Sequence, residues 1–542
     1  MDQAATPAFD AIIIGAGLGG LTAGALLAQA GRRVLILERH DKFGGAATTF
    51  RRRELQVEAS LCAMDGLDAM DFKSSIFARL GLDATVPLAT AETFYHLRHP
   101  LLGADFVMPR GHEAAIAACV ARFPQQAQGI RTYFTTIRHL RDARNNQLIM
   151  QLQVGHTPLN ALPSLGAHGA EGGAVTSPRP ELLERGRKVS LGQFLRTLFG
   201  SDEAVKFALC ANMYFTSGNL DHISIFDFAL SQASYHHAAH YVRGGSQKLS
   251  DELARIIRAA GGELRARRVV TRILIDRGRA VGVEHAQAPV IGSNKPVRDP
   301  DPQQARAGVV IANATPAAVR DLLPAPQGQL FHHPYDGLPA FDSNWTLYLG
   351  FDKKPAHHGV NHYLNFVYPA WFDAVAKLPE SGAVLGLPPG SKVPPFLFCD
   401  YSQLGEMITD SGQCLGVMSG LDRLANWRFP DEEGYRVHKE RWLDALIVAL
   451  DARFPGIAAS IVYRELATPR TVRAYLNDPE GSIHGYGNPE LMRIGRTLHK
   501  SPRSAVDSLL LASALIYGPG YSKAVLAGTV AAEAAFRELQ SG

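Results

Sequence analysis

Residues 10–50 constrain the fold more than any other stretch, because they read as strand, glycine turn, helix and strand in immediate succession. Ala11-Ile12-Ile13-Ile14 is a short apolar run with β-branched side chains, suited to a strand buried on both faces. It leads into Gly15-Ala16-Gly17-Leu18-Gly19-Gly20, a G-x-G-x-x-G. The first glycine makes a tight turn, the second admits a pyrophosphate against the backbone, and the third lets helix pack on strand. Residues 21–30 read as that helix, with its N-terminal N–H groups facing the phosphates. Residues 33–37 give a second strand ending at Glu38, placed to accept hydrogen bonds from ribose hydroxyls. Residues 11–31 carry no charge, yet their many glycines and the acids Asp2 and Asp10 upstream argue against a membrane span or signal peptide.

After Glu38 comes Arg39, and then a second glycine pair, Gly44-Gly45, followed by Ala46. A nicotinamide site has no evident need of that pair. The chain resembles flavoproteins of the amine oxidase and phytoene desaturase kind here, in which such a pair lets the backbone run beside the FAD pyrophosphate and flavin. It departs from them at Ala46, where many members carry arginine.

The 542 residues are 46% apolar and 20% charged, ordinary for a globular protein, and Lys plus Arg exceed Asp plus Glu by only 55 − 51 = 4. Nucleic acid is therefore not an expected partner. The five cysteines, Cys62, Cys119, Cys210, Cys399 and Cys414, are scattered and suit reduced thiols in a cytoplasm. No metal-ligand spacing appears: His236 and His237 are adjacent and would face opposite sides of a strand.

Further along, residues 104–108 are strand-like, 131–152 helical, and 155–180 a long Gly/Pro/Ser/Ala loop. Residues 190–230 read as interrupted amphipathic helix whose aromatics are core or the lining of an apolar tunnel. Residues 250–260 are helical, 269–275 and 278–283 form two strands joined by a turn, 285–306 an exposed insertion, and 309–314 a further strand. Tyr241-x-x-Gly244-Gly245, a helix, Gly261-Gly262-Glu263, Val270-x-x-Ile273, Gly278-x-Ala280-x-Gly282-Val283 and Asn313-Ala314 run in the order found in phytoene desaturases. Thr468-Pro469-x-Thr471, Tyr475-Leu476 and residues 481–487 are similar to carotenoid cis-trans isomerases and retinol saturases.

The resemblance spans residues 10–540 and implies an α/β fold. A discontinuous Rossmann-type FAD-binding domain (6–70, 240–320, 465–542) would be interleaved with a mixed-sheet and helical substrate domain (71–239, 321–464). It implies that Val270 meets the adenine through its backbone. Residues 508–514 read as a buried strand, followed by a glycine turn and a helix over 523–539 that brings backbone donors to the flavin O2/N1 edge. Ser513 stands where relatives carry an acid. The expected FAD-binding positions are Gly15, Gly17, Leu18, Gly19, Gly20, Glu38, Arg39, Gly44, Gly45, Ala46, Val270, Ser513, Gly520, Tyr521 and Ser522. With no cysteine beside that last turn, FAD would be held non-covalently.

The activity this implies is desaturation, saturation or reduced-flavin cis-trans isomerisation of C=C/C–C bonds in a long apolar polyene or isoprenoid. An amine oxidase, or a non-catalytic lipid-binding protein on the same fold, is the alternative. Tyr486 and His484 are the candidate catalytic groups. Peripheral contact with the inner membrane surface follows from the expected substrate rather than from any named segment.

Overall fold

The computed structural model describes residues 8–151, 153–154, 157–158, 180–215, 218–290, 302–338, 342–483, 485–486, 501–518 and 520–541. The four-residue strand Val34–Leu37 and the last four residues of Phe9–Ile14 are buried throughout, as parallel strands covered on both faces must be. They lie at the heart of a sheet ordered Glu263–Arg265, Val34–Leu37, Phe9–Ile14, Gln303–Ala312, Arg279–Gln287, Arg268–Asp276. Gln303–Ala312 does double duty. Its first half closes an antiparallel hairpin with Arg279–Gln287, while its second half pairs in parallel with Phe9–Ile14 and with Leu509–Leu511. The sheet thus draws its strands from three separated stretches of chain.

The first helix, Leu18–Gln29, is buried from Leu18 to Ala28. A Cβ at Gly24 would lie 2.7 Å from Ile36 Cδ1, and one at Gly528 would lie 2.3 Å from the Gly19 carbonyl oxygen. Sheet on one side and the C-terminal helix Tyr521–Ser541 on the other enclose it, which explains its uncharged sequence. Among the described residues no helix is long and apolar enough to cross a membrane.

A second sheet runs Ile461–Ala467, Ser343–Phe351, Cys414–Asp422, Phe396–Asp400, Leu364–Val367, Thr93–Arg98, Phe106–Pro109. All pairs are antiparallel except Leu364–Val367 with Thr93–Arg98. Its two faces serve different cores, following the period of two along a strand. Trp345, Leu347, Phe396 and Phe398 pack with Trp442, Leu446 and Leu450 of the helix Glu432–Asp451. Tyr348, Leu397 and Cys399 join the main core shared with the first sheet. A three-stranded sheet, Met64–Asp65, Ala239–Val242 and Leu88–Thr90, lies between the two strand systems in sequence.

Several expectations shift. The first helix begins at Leu18, three residues early, and the helix expected from 250 starts at Gln247. His236 and His237 end the helix Ile225–His237 rather than lying on a strand, and His236 is buried beside His112. The expected insertion at 285 is still strand to Gln287; residues 291–301, like most of the expected loop 155–180, lie outside the described residues. The strand expected over 508–514 is confined to Leu509–Leu511, and a short helix, Ala514–Tyr517, follows it. Phe199, Phe207 and Met213 are core side chains.

Candidate functional site

The two glycine turns interlock. Gly17 and Gly44 form a parallel bridge, and the Gly44 N–H donates to the Ala16 carbonyl at 2.7 Å. Gly45 has φ +60°, and a Cβ there would lie 3.0 Å from Gly17 Cα, so glycine at 45 lets the turns touch without strain or a shift. Glu38 is buried at 4% exposure. Its Oε2 accepts from the Ala16 N–H at 2.7 Å and its Oε1 from the His40 N–H at 2.9 Å, leaving a lone pair on each oxygen for a further donor.

The first helix has Gly17 as N-cap, with no side-chain cap and no acid in its first turn among the described residues. Its positive end is therefore left to an external anion. The Asn313 side chain lies behind the turn, donating from Nδ2 to the Gly15 carbonyl at 3.2 Å, and a Cβ at Gly17 would meet it at 2.8 Å.

Val270 lies at a register shift between Val270 and Arg272, two residues past Arg268, whose N–H donates to the Glu38 carbonyl at 2.7 Å. Arg39 turns elsewhere: Nη2 donates to the Ala474 and Tyr475 carbonyls, each at 2.6 Å, clamping the end of the helix Pro469–Leu476. His40 stacks on Tyr475 with centroids 5.6 Å apart. That helix also explains the Thr-Pro-x-Thr segment, which is a capping box: Thr468 is the N-cap, Pro469 opens the first turn, and the Thr471 hydroxyl accepts from the Thr468 N–H at 3.2 Å.

Three of the expected cofactor segments converge at Ser60 and Tyr521. Ser60 Oγ donates to the Ala46 carbonyl at 2.7 Å and lies 3.4 Å from Tyr521 Oη. Beneath them is Glu58, fully enclosed, its carboxyl raised above the usual range by burial. Its Oε1 accepts from Ser246 Oγ (2.7 Å), Leu61 N–H (3.2 Å) and Ser60 N–H (3.3 Å), and its Oε2 from Ser246 N–H (2.9 Å) and Tyr241 Oη (3.0 Å).

The chain that follows is pinned by four tyrosines. Tyr348 donates to the Ala59 carbonyl at 2.9 Å, Tyr401 to Leu61 at 2.8 Å, Tyr363 to Cys62 and Tyr235 to Ala63 at 3.1 Å. Sequence reasoning missed the roles of Glu58 and these four because most of their partners lie far away in the chain; Tyr348 is on a second-sheet strand, Tyr363 and Tyr401 flank two others, and Tyr235 is on the helix Ile225–His237.

At the start of the C-terminal helix Ser522 Oγ donates to Asp65, whose Oδ2 lies 3.9 Å from the buried Lys73 ammonium. Lys73 pairs with Asp71 at 2.7 Å, and Arg141 binds Asp68 beside it. Ser513 is buried at the start of the short helix, and Gly520 is in the left-handed region at φ +93°. The Tyr517 hydroxyl, adjoining Gly518, is buried without a partner among the described residues.

Tyr486 stacks obliquely against Tyr335 with centroids 5.5 Å apart, and burial pushes its hydroxyl up to about 12. A Cβ at the neighbouring Gly485 would strike the Leu515 carbonyl oxygen at 2.0 Å, so this segment runs against the short helix. His484 lies outside the described residues. Among the described residues no group of three His, Cys, Asp or Glu could hold a metal.

Interlocked glycines, an uncapped helix end and a buried acid with spare lone pairs fit a dinucleotide, and they define the chain as a Rossmann-type dinucleotide-binding protein carrying a second, mixed-sheet unit. Residues 13–72 match the NAD(P)-binding Rossmann-like domain family. The chain is 29% identical over 278 residues to all-trans-retinol 13,14-reductase of Macaca fascicularis, covering 51% of this chain and 44% of that protein. It is 22% identical over 487 residues to the chloroplastic prolycopene isomerase of Daucus carota (88% and 71%). Over 277 residues it is 27% identical to the neurosporene-forming phytoene desaturase of Rhodobacter capsulatus (50% and 49%). The chain spans less than half the length of the first curated relatives it matches. A putrescine oxidase structure shares the fold at TM-score 0.60 and 15% identity, covering 98% of this chain and 99% of that one. The curated relatives it resembles thus carry the names of a reductase, an isomerase and a desaturase.

Proposed function

We propose that the protein is an FAD-dependent oxidoreductase that acts on C=C or C–C bonds of a long apolar polyene or isoprenoid. The observation that carries the reading is the contact of two glycine turns, Gly15–Gly20 and Gly44–Gly45, over an uncapped helix N-terminus. One turn suffices for a pyrophosphate. The second, joined through Ala46 to Ser60 and Tyr521, supports a cofactor that continues past the pyrophosphate.

When bound, FAD supplies two-electron exchange with the substrate carbons. The chain's own residues supply the setting. Glu38 accepts from the ribose hydroxyls, the first-turn N–H groups of Leu18, Gly19 and Gly20 meet the pyrophosphate, and the Val270 backbone borders the adenine. Gly520, Tyr521 and Ser522 open the C-terminal helix, whose N–H groups favour negative charge developing on the cofactor. The attachment is non-covalent: among the described residues Cys62 is the one cysteine that is not fully buried, and it lies on the tyrosine-pinned segment. Tyr486, kept protonated by burial, is the group we place toward the reacting carbons as a hydrogen-bond donor. The FAD-binding unit comprises 6–70, 240–320 and 465–542, and the remaining stretches build the substrate side. A substrate of this class is delivered from a membrane surface, with the protein docked peripherally from the cytoplasm.

The test is the visible spectrum of the purified protein before and after dithionite, followed by product analysis with polyenes and with small amines. Flavin bands that bleach on reduction, and a polyene product with none from amines, support the reading. A colourless protein that takes up no added FAD sinks it and leaves a lipid carrier on the same fold. Amine turnover without polyene turnover replaces it with an amine oxidase.

A further inference from the structure

A chain of buried ion pairs ends at the first turn of the C-terminal helix. Ser522, the second residue of that helix, donates from Oγ to the Asp65 carboxylate. The Lys73 ammonium lies 3.9 Å from Asp65 Oδ2 and 2.7 Å from Asp71 Oδ2. Arg141 comes next, 3.9 Å from Asp71 Oδ2, and its Nη2 binds Asp68. Ser522, Asp65, Lys73, Asp71 and Arg141 are all buried. Asp65 is held from behind as well, because it pairs with Ala239 in the three-stranded sheet. The turn after it closes round the Lys73–Asp71 pair. Leu67 takes φ +64°, a conformation that bulky side chains rarely adopt, and its N–H donates to Asp71 Oδ2 at 3.2 Å. A Cβ at Gly66 would strike that same oxygen at 1.8 Å and lie 3.0 Å from Lys73 Nζ. Burying ion pairs costs desolvation comparable to their attraction, so stability alone does not account for a carboxylate fixed against this helix end.

We propose that Asp65 is a positioning residue whose carboxylate, acting through Ser522 and the helix end, lowers the reduction potential of the bound flavin, and that Lys73 limits the effect. The inference rests on the FAD reading above. Taking up two electrons and one proton leaves a flavin with one negative charge more than its oxidised form. The helix N-terminus, equivalent to roughly +0.5 charge, favours that added charge. A carboxylate bonded to the same turn opposes it, in buried surroundings where charges are poorly screened. Lys73, on the far side of Asp65 from Ser522, offsets part of the carboxylate's field. The consequence is a cofactor biased to give electrons to a C=C bond rather than to draw them from a C–C bond.

The test measures the potential of the flavin in the purified full chain, by reductive titration against a reference dye, in wild type, D65N, D65E and K73M. D65N keeps the side chain's shape, and the Ser522 hydroxyl can meet either end of an amide. The expected result in D65N is a higher potential, with reduced flavin held about tenfold more tightly relative to oxidised, a shift of about 30 mV for a two-electron couple. D65E, which keeps the charge, should stay close to wild type, and K73M should shift to lower potential. Loss of packing alone would weaken flavin binding in D65N and K73M alike without driving their potentials apart. If K73M does not fold, D65N against D65E decides. A wild-type potential in D65N, a shift in D65E as large as in D65N, or D65N and K73M moving in the same direction overturns the proposal while leaving the FAD reading in place. A wild-type protein that binds no flavin removes that reading and this inference with it.

Discussion

Glu58→Gln tests whether the buried carboxylate under Ser60 holds the cofactor side of the molecule together. An amide has one acceptor oxygen where the carboxylate has two. With its NH2 at the Oε2 position it would face the Ser246 N–H, which cannot turn round; with its NH2 at the Oε1 position it would face the N–H groups of both Ser60 and Leu61. The first arrangement is the milder. It loses a charge-assisted bond and leaves one buried N–H unpaired, together about 2–4 kcal/mol. Removing a buried charge offsets part of this, so about 2 kcal/mol is the working value. Because Glu58 holds Ser246 and Ser60, and Ser60 holds Ala46 beside the second glycine pair, that loss should appear in FAD affinity as up to about thirtyfold weaker binding, read by the fluorescence of free flavin.

A second readout is the pH dependence of stability. Burial raises the Glu58 carboxyl above its usual value, so the folded protein holds this proton more tightly than the unfolded chain. The group's contribution is therefore fullest below the unfolded carboxyl pKa and is lost as pH rises through the raised folded value. E58Q should abolish that part of the slope. Wild-type affinity together with an unchanged pH slope would refute the reasoning.

Two further perturbations follow from the same geometry. Burial lifts the Asp422 carboxyl to about 7, although Trp427 Nε1 and Asn426 Nδ2 each donate to it at 2.7 Å. Stability from this group is present below the unfolded carboxyl pKa and falls as pH climbs through 7; Trp427 emission should titrate near there and cease to do so in D422N. Gly528→Ala places a Cβ 2.3 Å from the Gly19 carbonyl oxygen and should wedge the C-terminal helix off the first helix. The expected cost is about 1–3 kcal/mol or more, with loss of bound flavin; a variant with unchanged thermal midpoint and flavin content would count against that packing.

The dinucleotide unit was legible because its signal is local. Strand, glycines, helix, strand and Glu38 fall within the first forty residues, and each dictates its neighbour's geometry. The hairpin of Arg268–Asp276 and Arg279–Gln287 was equally plain, since an apolar run, a turn and an apolar run need no distant partner. Tyr363 and Tyr401 escaped notice for the opposite reason. Their hydroxyls answer carbonyls more than three hundred positions away, and an isolated tyrosine beside a strand carries no mark of its partner. Thr468 and Thr471 belong to the segment that carries the isomerase resemblance, although Thr-Pro-x-Thr is itself a helix-start pattern. The short helix Ala514–Tyr517 was hidden by the glycines after it, which suggested that the strand ran directly into a turn.

The double pairing of Gln303–Ala312 has a consequence for how the protein comes into being. Val310 must leave the ribosome and wait for Leu509 before its far edge is covered, and Ala512 must arrive before the carbonyl that packs on Gly19 is in place. Until then a nascent chain exposes one edge of its central sheet, with the whole second sheet synthesised in between. Such long-range closure is slow, and exposed edges invite wrong partners. A nucleotide site that needs residues 509–512 beside residues 15–20 can form only after both are made and joined, so ligand capture would act as proofreading of that closure.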